Sequence, residues 1–206
     1  MFGGGGRGAE AGPAGRVVAL DQDRALVRAA QADPARFDAL YRKYLAQVYS
    51  FAFWELRDHH EAEDVTERTF LAALDALPRF REGAADDPAN PAASTFRVWL
   101  FRIARNAIAN ERRRRRRRPA APLEAAAAIA APVDVAAEAA ARADASAAWA
   151  AVDRLPEDRR RTVILRFVEE MSPAEIAAVI GRSEGATRVL LHRALRAVAR
   201  DLEAGR

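Results

Sequence analysis

Apolar residues between Asp21 and Asn110 recur every three or four positions: Leu26, Phe37, Leu40, Tyr41, Tyr44, Val48, Phe51 and Ala52, then Val65, Phe70, Leu74 and Leu77, then Phe96, Trp99, Leu100 and Ile103. That spacing belongs to helices that bury one face, and strand-like alternation is nearly absent. The pattern predicts three or four helices with breaks near Asp33-Pro34, Arg57-Asp58 and Pro78. The stretch "REGAADDPANPAAST", Arg81 to Thr95, carries two prolines and a glycine and reads as a loop, long for a helix-helix connection. Helix resumes at Ser94 or Thr95 as N-cap and runs through "FRVWLFRIARNAIANERRRRRRR" until Pro119 stops it, with Trp99 expected in the core.

Pro119 to about Val133 is rich in alanine and proline and almost uncharged, which reads as a linker. A second helical block starts near Asp134, runs through Trp149 and Val152, pauses at "LPEDRRR", where Pro156 suits a first turn, and continues through Val163, Ile164, Phe167 and Val168. Then comes "SPAEIAAVIGRSEGATRVL", Ser172 to Leu190. Ser172 and Glu175 are spaced for a capping box, Gly181 suits a left-handed helix end, and Ser183 can cap a second helix. The inward face of that second helix is expected to be Ala186, Val189, Leu190 and Ala194, leaving Arg188, His192, Arg193 and Arg196 outward. Two short helices, a tight turn and a basic outer face describe a helix-turn-helix. A helical hairpin with a solvated arginine face fits the same segment, and these residues alone do not separate the two. The expected fold class is all-α: a disordered tail over 1–20, a helical domain over 21–118, a flexible linker over 119–133, and a helix-turn-helix domain over 134–206.

Composition narrows the chemistry. Half of the 206 residues are apolar, enough for a core or two, and the net charge is only +4. The positive charge is concentrated instead, since Arg112 to Arg118 is an unbroken run of seven arginines. Local charge of that kind attracts phosphates. The absence of cysteine removes disulfides and thiolate zinc sites and suits a reducing cytosol. No stretch approaches the roughly 20 apolar residues of a membrane span, and the N-terminal glycines lack a signal-peptide core, so a cytoplasmic protein without membrane partners is expected. The cluster "HHEAED", His59 to Asp64, raises a metal-dependent enzyme as a rival. Its only other histidine, His192, lies in the far domain, and acidic residues so spaced on a helix mostly face water. Neither metal nor cofactor is expected.

Three segments, in order, then carry a resemblance: "FDALYRKYLAQVY" with "HEAEDVTERTFLAAL" (Phe37 to Leu74), "TFRVWLFRIARNAIANERRR" (Thr95 to Arg114), and "LPEDRRRTVILRFVEEMSPAEIAAVIGRSEGATRVLLHRAL" (Leu155 to Leu195). Together they resemble the small two-domain extracytoplasmic-function (ECF) group of bacterial RNA polymerase sigma factors, in the sigma-70 family. The resemblance implies a region 2-like domain that reads the minus-ten element and helps melt it, and a region 4-like domain that reads the minus-thirty-five element. It implies binding rather than covalent chemistry, with no catalytic residue. Partners would be core RNA polymerase and promoter DNA, with an anti-sigma factor as a further candidate. Residues carried over are Arg102, Arg105, Asn106, Arg112 and Arg113 for the melted region, and Arg182, Arg188, His192, Arg193 and Arg196 for the upstream element. Polymerase docking falls on Glu61, Glu63, Asp64, Glu67 and Arg68. The chain departs from the family at Glu67, usually Gln, and in the length of the 81–95 loop. A helix-turn-helix regulator acting without polymerase is the nearest rival.

Overall fold

A computed structural model describes residues 13–81, 95–117 and 137–204, and among them all regular structure is helical. Eight α-helices follow in order: α1 (Pro13–Ala32), α2 (Phe37–Leu56), α3 (His59–Ala76), α4 (Phe96–Arg117), α5 (Ala137–Asp153), α6 (Glu157–Phe167), α7 (Pro173–Ile180) and α8 (Glu184–Ala204). Most of the expected loop and the whole expected linker over 119–133 lie outside the described residues, as do residues 1–12. Helix α1 begins at Pro13, inside the segment expected as a tail. Val27 and Ala30 anchor it in the core, and an anchored helix extends at one backbone hydrogen bond per residue.

The breaks have local causes. Asp33 is extended and accepts from the Ala35 amide, so a single 3-10 turn over Pro34–Arg36 separates α1 from α2. Arg57 closes α2 in the left-handed region at φ 58°, donating its N–H to the Phe53 carbonyl. The next residue, Asp58, is extended and accepts from the Glu61 amide at 2.9 Å, starting α3. One residue ends a helix and its neighbour begins the next, so α2 and α3 fold back as a hairpin. Leu40, Val48, Phe51 and Ala52 of α2 meet Ala62, Val65 and Ala73 of α3 and Phe96, Phe101, Ala104 and Ile108 of α4 in one core. Helix α1 is tied on by polar contacts: the Tyr44 hydroxyl donates to Asp23 at 2.5 Å, and Gln31 donates to the carbonyls of Leu77 and Phe80. Burial, with Asp23 beside it, raises the Tyr44 phenol well above its ordinary value, so it stays a donor. Two residues of the apolar series are on the surface: Tyr41 and Leu74, each 37% exposed, line an open groove between α2 and α3. Trp99 is half-buried, packed on Phe80 and Phe96.

In the C-terminal module α7 has the expected capping box, with the Glu175 amide donating to Ser172 Oγ and Glu175 Oε2 accepting from the Ser172 amide at 2.8 Å. Gly181 ends it at φ 71°, its N–H and that of Arg182 both donating to the Ala177 carbonyl. Ser183 caps α8 through the Ala186 amide. The buried face of α8 is turned by about one residue from expectation. Thr187 and Ala194 are buried and Leu190 and Leu191 half-buried, whereas Ala186 is exposed and Val189 is 49% exposed. Thr187 turns inward because its hydroxyl donates to the Ser183 carbonyl one turn back. Val152, Leu155, Val163 and Ala194 form the small core under this helix.

The two modules touch. Ile164, Leu165, Met171, Ile176 and Val179 are continuous with the apolar core of α2 to α4, α6 packing on α2 and α7 on α4.

Candidate nucleic-acid interface

Helix α8 carries its basic residues on the outside. Arg188, His192, Arg193 and Arg196 are all exposed, at helical spacings that put them on one side. Arg188 leans on Glu184 one turn earlier, at 2.5 Å, and its side chain remains 68% exposed. Arg182, in the α7–α8 turn, pairs with Asp158 of α6 at 2.6 Å, both half-exposed. Pairs of this kind are worth little and exchange readily with solvent or phosphate.

Helix α4 differs. Arg102 and Asn106 face solvent, and Arg113 is exposed with a 2.9 Å bond to Asn110. Arg105 turns toward the other module, donating to the Val179 carbonyl at 2.8 Å and to Asn106 at 3.2 Å, and its burial draws its pKa down. Arg112 is held by Glu55, at 2.5 Å to the carboxylate and 2.7 Å to the carbonyl, and by Glu157 at 2.7 Å. Arg114 grips the buried Glu111 at 2.8 Å, and Arg115 reaches Glu61 at 3.5 Å. The arginine run is thus partly neutralised by carboxylates beneath it, which is how it stays helical through Arg117 despite like-charge repulsion.

The acidic residues of α3 divide the same way. Glu61, Asp64 and Arg68 face α4: Arg68 bonds Asp64 at 3.0 Å and Glu111 at 2.8 Å, while burial raises the Glu61 pKa against the pull of Arg115. Glu63 and Glu67 face away and edge a groove of about 510 Å³ between α2 and α3, floored by Phe37, Tyr41, Leu45, Phe70, Leu71 and Leu74. Leu71 is 59% exposed there. Among the described residues no cluster of His and carboxylate side chains is disposed to hold a metal, and no helix is long and apolar enough to cross a membrane.

Reading by periodicity passes over several charged residues that the fold brings together: Glu55, Arg97, Arg160, Arg161 and Glu169. Glu55 did carry a signal, standing three after Ala52 and seven after Val48 on the buried stripe of α2. A carboxylate there needs cationic partners. Burial works against the Arg161 charge, but Glu55 and Glu157 outweigh it and its pKa is raised. Arg161 and Arg112 in turn draw the Glu157 pKa down despite its burial.

Residues 40–118 match the family model for sigma-70 region 2, and residues 146–198 that for sigma-70 region 4. The chain is 34% identical over 193 residues to the ECF RNA polymerase sigma factor BldN of Streptomyces coelicolor, an alignment covering 91% of this chain and 70% of that one. It is 32% identical to the RNA polymerase sigma-H factor of Pseudomonas aeruginosa over 91% of this chain and 97% of that one. Its fold is similar to CnrH, solved in complex with the cytosolic domain of CnrY, with a TM-score of 0.61, 26% identity, and 88% and 97% of the two chains covered. With region 2 and region 4 in order, and kinship to whole sigma factors over most of its length, the chain belongs to the ECF group of the sigma-70 family, the sigma factors that direct RNA polymerase to promoters.

Proposed function

We propose that this chain docks on core RNA polymerase in the cytoplasm and lends it promoter specificity through two basic helix faces, without covalent chemistry of its own. The observation that carries this reading is the exposure of Arg188, His192, Arg193 and Arg196 along one side of α8, the second helix of a helix-turn-helix. Arginine suits guanine edges in the major groove bidentately, so Arg188 and Arg193 take the minus-thirty-five bases, with Arg182 and Arg196 on adjoining phosphates and His192 between them. On α4, Asn106 reads an extruded base of the minus-ten strand and Arg102 contacts its backbone. Arg113 meets the duplex upstream, joined by Arg105 and Arg112 once these leave their protein partners.

Polymerase docks on the outer side of α3. Glu63 and Glu67 supply charge at the edge of an apolar groove, and Leu71 and Leu74 supply area, a combination suited to a basic amphipathic helix. Glu61, Asp64 and Arg68 act from beneath by bracing α3 against α4. A structural relative was solved with a cytosolic domain bound, and an anti-sigma partner competing for these surfaces belongs to the same reading. Run-off transcription with core polymerase over a set of genomic promoters tests it. Discrete transcripts that need both core and this chain are expected; duplex binding by the chain alone, with no copurification of polymerase, would overturn it.

A further inference from the structure

The outward side of α8 is not uniformly basic. Val189 is 49% exposed, and Ala186, three residues earlier, is exposed with it. At about 100° per residue, Val189 stands about 200° round the helix from the buried Thr187, so it occupies the middle of the outer face. Arg188 lies to one side of it and Arg193 to the other, with His192 and Arg196 on the next turns. Arg188 is drawn back along the helix by Glu184, and Val189 keeps half of its surface in water. Gly185 completes the patch one turn earlier. It is helical, without a positive φ, and a Cβ built on it would meet nothing within 4 Å. Glycine weakens a helix relative to alanine, and nothing inside the chain calls for one there. Gly185, Ala186 and Val189 thus form a smooth apolar saddle among cations, at the end of α8 nearest the turn.

Single exposed apolar residues are common and by themselves say nothing. This one differs by position: Leu195, the other large apolar residue exposed on α8, stands about 120° round the helix from it, off the middle of the outer face. In the major groove the base edges offer hydrogen-bonding groups, and the thymine C5-methyl is the one apolar feature. Valine has nothing to donate or accept. Against a cytosine amino group it strips water and returns no bond, whereas against a thymine methyl both partners bury apolar surface. Its branched Cβ also holds one χ1 rotamer in a helix, so its methyl groups are already placed. We infer that Val189, with Ala186 beside it, reads a thymine methyl in the minus-thirty-five element, at a T·A pair between those that Arg188 and Arg193 contact. The arginines set affinity and the choice of guanine, and the valine sets the choice of thymine over cytosine. The inference rests on the reading of α8 proposed above and adds a specificity residue to it.

The test uses core polymerase assembled with the full chain. Upstream elements are selected from a randomised duplex library, and one selected promoter then carries deoxyuridine in place of each thymidine in turn, a change that removes only the methyl group. In competition binding, one such replacement is expected to weaken the wild-type complex about fourfold, the effect of a single methyl group left in water. Val189→Ala should weaken binding to the thymine duplex by a similar factor and respond less than about twofold to that replacement. At the same position, 5-methylcytosine should bind better than cytosine with the wild type and equally with Val189→Ala. The substitution removes an exposed β-branched side chain from a helix, so the fold is kept. Methyl dependence at no position, or the same dependence in wild type and Val189→Ala, overturns the inference. The Arg188→Ala, Arg193→Ala double variant then says where the fault lies. If it loses upstream protection while Val189→Ala keeps the wild-type preference, the role of the valine alone is wrong; if it keeps protection, the reading of α8 fails with it.

Discussion

Helices α4 and α8 both read in the sequence as basic faces, yet their arginines are in different states. On α8 the guanidinium groups stand in solvent or lean on exposed carboxylates one turn away, as Arg188 does on Glu184. On α4, Arg112 and Arg114 are fastened to Glu55 and Glu111, neither of whose carboxylates has any exposed surface. The charge is similar; its availability is not. An exposed pair trades one weak contact for another when phosphate arrives, whereas a buried pair must be dismantled first. On the reading proposed above, α8 would meet a duplex as it stands, and α4 only in part, through the exposed Arg102, Asn106 and Arg113.

The largest effect expected from this contrast is on α8 itself. An Arg188→Ala, Arg193→Ala double variant removes two exposed groups, at the cost inside the chain of only the solvent-exposed Arg188–Glu184 pair, and about 1–3 kcal/mol of binding each if both read base edges. Footprinting of the upstream element in the presence of core polymerase should show protection lost, with the salt dependence of binding reduced by about two phosphate contacts if they read phosphate instead. Thermal stability of the free chain should stay within about 0.5 kcal/mol of wild type. Intact upstream protection would break the comparison at its exposed end.

A smaller effect tests the buried end. Glu111→Ala leaves Arg68 and Arg114 without their shared carboxylate beneath the arginine run, and should cost about 2–3 kcal/mol in denaturant unfolding of the full chain, since both cations can still reach water. Glu184→Ala, the matching deletion on α8, should cost less than about 0.5 kcal/mol. Equal costs for the two would mean that burial under α4 does not distinguish them.

How much of this was legible beforehand follows from the range of each interaction. The breaks at Asp33-Pro34, Arg57-Asp58 and Pro78, the capping box at Ser172 and Glu175, and the turn at Gly181 are set by residues within a few positions, so the chain announces them locally. The outward set Arg188, His192, Arg193 and Arg196 was legible for the same reason. The inward set on α8 was misread by one residue because a hydroxyl, Thr187, took the place assigned to an alanine by bonding the preceding turn. The seam between the modules was not legible at all. Glu55 and Arg161 are 106 positions apart, and nothing in the period of either helix says that one completes the other. The opposite error occurred at Tyr41 and Leu74, where periodicity implied core and the fold left an open groove.

The last prediction reaches the seam between the modules through a buried carboxyl. Glu169 follows α6, is 4% exposed, and packs against the other module, where the Ser50 hydroxyl of α2 bonds it and Arg97 of α4 stands near. Arg97 donates to the Glu169 carbonyl, and Glu169 Oε1 has no hydrogen-bond partner. Burial dominates, and the carboxyl is pushed up to about 7 against the pull of Arg97 and Ser50. Its folded value lies above the unfolded one, so the folded chain binds the extra proton. The stability this provides is complete below the usual carboxylate range and is lost as pH rises to about 7, after which the dependence flattens. Between pH 6 and 7.5 the loss should be about 1 kcal/mol, seen as a falling melting temperature, and Glu169→Gln should abolish that slope because it carries no titrating proton. The same substitution leaves α8 untouched, so upstream protection in the assembled polymerase should not change with it. A slope that persists in Glu169→Gln would assign the titration elsewhere and leave the seam indifferent to pH.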